Sequence, residues 1–90
     1  MNIQKRKTSS WLLYLLLCSD GTLYTGITTN LSRRLKQHNN GKAARYTRSR
    51  RPVRVVFQEP CSSKSHALRK EHTVKSMTRK KKDDYIKKNR

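Results

Sequence analysis

Two phenols, a guanidinium, an imidazole and a carboxylate are the chemically capable groups of this sequence: Tyr14, Tyr24, Arg34, His38 and Glu71. Phosphodiester hydrolysis uses that set. A metal ion held by a carboxylate polarises the phosphate or the leaving oxygen. An arginine stabilises charge on the phosphoryl oxygens. A phenol or an imidazole positions or deprotonates the attacking water. Residue types alone do not rank these roles, and each group has a plainer use. A tyrosine in a strand usually packs. An arginine beside an apolar stripe can lay its stem on the core and carry its head to water. A glutamate can offset Arg69 or Lys75 in solvent. Turned inward it needs a partner, either Arg34 or a divalent cation, because an unpaired buried carboxylate is costly.

The five groups share a cleft only if the elements carrying them aim at it. Trp11 to Cys18 is apolar at both alternating positions and predicts a central strand. Thr22 to Thr28 predicts a second strand, and the two make a hairpin around "SDG", Ser19 to Gly21. A two-residue Asp20-Gly21 turn would put the tyrosines on opposite faces. A three-residue loop, with Gly21 left-handed in a bulge, pairs Cys18 with Thr22. Tyr14 then stands opposite Gly26 and Tyr24 opposite Leu16, all on one face, and this loop is the expectation. Gly26 would leave a bare patch of backbone where a phosphate can approach.

Asn30 predicts an N-cap for a helix to about Asn39, with Gly41 just past its end. Leu31 and Leu35 define its apolar face, and Arg34 and His38 fall beside them. Lys42 to Arg51 reads as a basic loop. Pro52 to Glu59 reads as a third strand ended by Pro60. Ser62 or Ser63 caps a helix to about Met77, with Ala67, Leu68, Val74 and Met77 on its apolar side and Glu71 between the first two on the wheel. Residues 78 to 90 predict a short basic helix anchored by Tyr85 and Ile86. The fold class is therefore α+β: a small three-stranded antiparallel sheet flanked by helices in the order ββαβαα. Residues 1–10 read as a basic tail and 11–90 as a single domain.

Charge points to the partner. Of 90 residues, 23 are Lys or Arg and five are Asp or Glu, a net charge of +18. Such a density opposes compaction and favours a polyanion, nucleic acid before an anionic membrane. Lys42, Arg45, Tyr46, Arg48, Arg50 and Arg51 are the candidate nucleic-acid contacts. The apolar run "WLLYLLLC" behind Lys5-Arg6-Lys7 imitates a signal peptide, but Leu16 and Leu17 precede Cys18 where cleavage wants small residues, and the run is too short to span a bilayer. No membrane partner is expected. Cys18 and Cys61 are far apart and, with His38, His66 and His72, match no zinc spacing, so reduced structural thiols are expected.

These residues resemble the GIY-YIG nuclease domain, in its small single-domain branch, from about Trp11 to Met77. Tyr24-Thr25-Gly26 matches the second tripeptide, and Leu12-Leu13-Tyr14 keeps the tyrosine of the first. Arg34, His38 one turn later in an "RLxxH" form, and Glu71 on a later helix match the family's polar residues. The resemblance implies DNA cleavage with one Mg²⁺ or Mn²⁺ and no covalent intermediate. It implies Tyr14 as the water-activating phenol and Tyr24 as a positioning hydroxyl. Arg34 would bind the scissile phosphate, His38 would assist proton transfer or contact the phosphate, and Glu71 would be the sole protein ligand of the metal. The chain ends at Arg90 without a separate DNA-binding domain, so little sequence specificity is expected, with structure-selective repair or processing as the biological setting. A catalytically weak or inactive nucleic-acid-binding module is the alternative, and RNA the alternative partner. The expected location is the cytoplasm, or the nucleus in a eukaryote or its virus.

Overall fold

The computed structural model describes residues 10–90. The expected basic tail therefore lies, except for Ser10, outside the described residues. Strands β1 (Leu12–Leu17), β2 (Leu23–Thr28) and β3 (Arg54–Pro60) form one antiparallel sheet in the order β2-β1-β3. The strand that is apolar on both faces is thus the central one, covered on both sides as its composition requires. The hairpin takes the bulged loop. Cys18 N–H donates to the Thr22 carbonyl at 2.9 Å, and Gly21 has φ +85°, where a side chain would be strained. The register follows, with Tyr14 opposite Gly26 and Leu16 opposite Tyr24. Between β1 and β3 the pairing slips by one residue at Leu15/Leu16, a bulge the sequence does not announce.

Helix α1 (Leu31–Asn39) starts where Asn30 caps it, the Asn30 side-chain oxygen accepting from Arg33 N–H at 3.0 Å. It ends with Gly41 at φ +76°, the left-handed residue expected beyond a helix C-terminus. The basic stretch that follows is not wholly a loop. Residues Arg45–Arg48 form a helical turn, α2, which makes the order ββααβαα rather than ββαβαα. Four residues are too few to show helical periodicity, which is why the turn escapes a pattern reading. Ser63 caps α3 (Lys64–Lys75), and Thr78 caps α4 (Arg79–Asn89).

The sheet separates two packed layers. Leu13, Leu15, Phe57, Cys61, Ala67, Val74 and Ile86 fill the side under α3 and α4. Tyr14, Leu16, Cys18 and Val53 fill the other, against Leu31 and Leu35 of α1. Both cysteines are free and buried. Leu68 departs from expectation: it is 46% exposed. The buried line of α3 runs through Ala67 and Val74 with Lys70 and Glu71 partly covered, and this line leaves Leu68 about 100° round the helix, in solvent.

Candidate active site

Tyr14 projects from the central strand toward α1 and is 1% exposed. Its phenol lies over the backbone of Gly26 on the neighbouring strand. A Cβ built on Gly26 would come within 2.5 Å of Tyr14 Oη and 2.6 Å of Cζ, so only glycine admits the ring there. This corrects the expectation of an open patch for phosphate: the space beside Gly26 is filled by the phenol itself.

His38, on the last turn of α1, is also 1% exposed. Its Nε2 lies 2.9 Å from Tyr14 Oη and its Nδ1 lies 2.8 Å from Thr47 Oγ1. Burial, followed by the nearby Arg34 charge, pushes His38 below the usual histidine range and so favours the neutral ring. With both nitrogens taken inside the protein, His38 is not placed to touch a phosphate. Tyr24 packs its ring against His38 at 5.1 Å between centroids and against Tyr14 at 6.4 Å.

The charges of Arg34, on α1, and Glu71, on α3, both bear on this phenol. Tyr14 is driven well above the usual tyrosine range, first by burial and then by Tyr24; the Arg34 guanidinium opposes the rise and the Glu71 carboxylate adds to it. Opposite charges from α1 and α3 therefore act on one buried oxygen. They are not paired with each other. The ion-pair partner of Glu71 is Lys75, with Lys75 Nζ 3.3 Å from Glu71 Oε2, while the carboxylate side chain keeps 20% of its surface exposed. The buried Arg34–Glu71 pair considered from sequence does not form.

The basic residues sort into two groups. Arg50 is a strut. Its Nε donates to Asp20 Oδ2 at 3.0 Å, its Nη1 donates to the Tyr46 carbonyl at 2.8 Å, and its guanidinium covers the Tyr46 ring at 3.9 Å. Arg51 donates to the Arg48 carbonyl at 2.8 Å. Lys42, Arg45 and Arg48 are exposed around α2, with Tyr46 between them 6.0 Å from Tyr24. Proximity thus joins Tyr14, Tyr24, His38, Arg34 and Glu71, and sets the α2 cations at their rim.

Thr47 is the polar group that the residue pattern does not single out. It is 0% exposed, on a helical turn otherwise rich in arginine. The available signal is slight: Thr47 is the one β-branched residue between Lys42 and Arg51.

Comparison with known proteins bears on the chain as a whole. The model of the GIY-YIG catalytic domain matches residues 10–84. A UPF0213 protein of Desulfotalea psychrophila is 49% identical over 84% of this chain and 72% of its own length. A UPF0213 protein of Natronomonas pharaonis is 51% identical over 82% of this chain and 87% of its own. The solution structure of a UPF0213 protein from Bacillus halodurans is 43% identical, covers 88% of this chain and 84% of its own, and has a TM-score of 0.59. That of an E. faecalis protein is 40% identical, covering 92% and 86%, at a TM-score of 0.62.

Proposed function

Because the chain belongs to the GIY-YIG catalytic domain family, we propose that residues 11–90 form one catalytic domain that hydrolyses DNA phosphodiester bonds, dependent on Mg²⁺ or Mn²⁺ and with little sequence preference. The observation that carries this reading is that Arg34 and Glu71, on two different helices, both bear electrostatically on the buried Tyr14 phenol and form no ion pair with each other. A purely structural cluster would neutralise the two charges against one another.

The donor set suits a hard divalent cation. Glu71 offers carboxylate oxygens in a half-buried position. Among the described residues no group of three or more His, Cys, Asp or Glu comes together. A single carboxylate fits Mg²⁺, which keeps most of its water and fills its remaining positions with phosphate oxygen. Glu71 would hold the ion, which supplies polarisation of the phosphate and leaving oxygen when bound.

The chain's own groups supply the rest. Arg34 grips the non-bridging oxygens of the scissile phosphate with its planar fork. Its charge also bears on the Tyr14 phenol, so the phosphate it holds lies near that oxygen. Tyr14 takes the proton of that water as the oxygen closes on phosphorus. Tyr24, packed on His38, holds the rim. Lys42, Arg45 and Arg48 bind flanking phosphates, which positions the strand but reads no sequence.

Plasmid nicking with and without Mg²⁺, wild type beside Glu71→Gln, is the test. The wild type should nick only with metal, and Glu71→Gln should lose nicking while retaining DNA binding. The second reading, a binding module without chemistry, draws on the Lys75 ammonium already beside Glu71. It predicts retained DNA binding and no metal-dependent nicking by the wild type.

A further inference from the structure

We propose that Thr47 is a positioning residue: it holds His38 as the Nδ1–H tautomer and so makes His38 Nε2 the acceptor of the Tyr14 proton. The proposal rests on the hydrolytic reading above for its consequence, but its structural content is independent of it.

The chain of hydrogen bonds runs from α2 through α1 to β1. Thr47 Oγ1 lies 3.2 Å from the Ala44 carbonyl, a contact in which only the hydroxyl can donate. A hydroxyl has one proton. With it committed to Ala44, Thr47 meets His38 Nδ1, at 2.8 Å, as an acceptor, and Nδ1 must carry the hydrogen. A neutral imidazole has one N–H, so Nε2 is then bare and accepts at 2.9 Å from Tyr14 Oη.

The other end of the chain demands the same direction. Arg34, which can only donate, acts on the phenol oxygen of Tyr14. The Tyr14 hydroxyl proton needs an acceptor within a site that is 1% exposed, and a cation beside the phenol favours that arrangement. His38 Nε2 is the acceptor in reach. The reverse tautomer would aim Nε2–H at Tyr14 and leave the buried hydroxyl hydrogen without a partner.

In the reaction the attacking water gives a proton to Tyr14 Oη while the Tyr14 proton passes to His38 Nε2. The water oxygen forms the new P–O bond, and the P–O bond to the leaving oxygen breaks. The leaving oxygen takes a proton from solvent, and His38 returns its extra proton to solvent afterwards. Throughout, Nδ1–H stays on Thr47. The tyrosine therefore never has to exist as a free phenolate, which its burial disfavours. Thr47 touches neither substrate nor water, which is why its place is that of a positioning residue and not a catalytic one.

The experiment reads the tautomer directly. Long-range ¹H–¹⁵N correlation spectra of uniformly labelled full-length wild type, at neutral pH, should show His38 with the protonated-nitrogen shift on Nδ1 and the unprotonated shift on Nε2. Thr47→Ser, which keeps the acceptor, should keep that pattern. Thr47→Val, which keeps the shape and loses the oxygen, should lose it and cut metal-dependent nicking by on the order of 10–100-fold. A wild-type His38 protonated on Nε2 overturns the proposal, whatever the variants do. So does a folded Thr47→Val that keeps the Nδ1–H pattern, or one that loses it and nicks at the wild-type rate. If Thr47→Val does not fold, the wild-type spectrum and Thr47→Ser decide. A correct tautomer in a wild type that cuts nothing leaves the role of Thr47 standing and refutes the hydrolytic reading instead.

Discussion

At the scale of single residues, His38 joins stability and activity to one proton. The groups facing it are Arg34 from its own helix, Tyr14 from β1, Tyr24 from β2 and Thr47 from α2. None is acidic, so no opposite charge faces the ring, and burial lowers its pKa below the usual value of about 6.5. The unfolded chain therefore binds this proton more readily. The contribution of a neutral His38 to stability is full above about pH 6.5 and is lost as pH falls through the lower folded value. Melting curves from pH 7.5 down to 4.5 should show an acid loss that is smaller in His38→Gln. Nicking should fall over the same range, because a protonated Nε2 cannot accept from Tyr14; an acid limb identical in His38→Gln would contradict this. Gly26→Ala tests the neighbouring contact. Its Cβ would sit 2.5 Å from Tyr14 Oη, and a phenol packed in a strand cannot move off cheaply. We expect a loss of about 1–3 kcal/mol in denaturant unfolding, and loss of nicking as the phenol leaves His38. Glu71→Gln should behave differently in the same melts. Its partner Lys75 is a half-exposed helix neighbour, so the pair contributes little and Tm should barely move.

At the scale of elements, α4 reads from sequence as a basic appendage for nucleic acid, and the packing gives it a second duty. Ile86 is buried in the cluster with Leu13, Leu15 and Phe57. The Tyr85 ring meets Phe57 edge-on at 5.5 Å, its hydroxyl donates to Glu59, and Lys70 Nζ donates to Glu59 Oε2 at 2.7 Å. Arg79 reaches back to the Gly21 carbonyl at 2.5 Å. Removing residues 79–90 therefore takes Ile86 and Tyr85 from the layer they share with α3. The burial of Ile86 alone is worth about 1.5–3 kcal/mol, a large part of a total of about 5–15 kcal/mol. The truncated chain should lose its cooperative melt; a sharp transition near the wild-type Tm would show that α4 is dispensable to the core. The short α2 has a comparable hidden duty. It carries Thr47 to His38, and Arg50 just beyond it bonds both the Tyr46 carbonyl and Asp20 of the hairpin turn.

At the scale of the whole molecule, charge governs how the domain meets its substrate. A chain of net charge +18 releases condensed counterions when it covers phosphates. If about five phosphates are covered, the logarithm of the association constant should fall against that of salt with a slope near −4 to −5. Titrations between low and physiological salt measure it, and a flat response would argue against backbone binding. Because Ile86 of α4 lies in the core, its share is measured by neutralising exposed lysines and not by truncation. Lys81→Gln with Lys88→Gln should weaken binding to all sequences alike and make the slope shallower by about 1 for each phosphate left uncovered, with the melt unchanged.

Local rules were enough for most of the framework. Helix capping by Asn30 and Ser63, the left-handed Gly21 and Gly41, and the loop that sets Tyr14 opposite Gly26 depend on neighbours in sequence, and a sequence displays its neighbours. The same logic placed Arg34 and His38 beside the apolar stripe of α1. Contacts between residues distant in the chain were not legible. Whether Glu71 pairs with Arg34 or with Lys75 depends on how α3 lies across the sheet, and both pairings satisfy charge. The filling of the Gly26 gap by a phenol, the exposure of Leu68 and the sealing of His38 by Thr47 depend on which surfaces meet and how closely. Local propensity fixes the direction in which a side chain leaves its backbone; close packing of several elements decides what it meets there, and here that decided which nitrogen of one histidine is left to accept a proton.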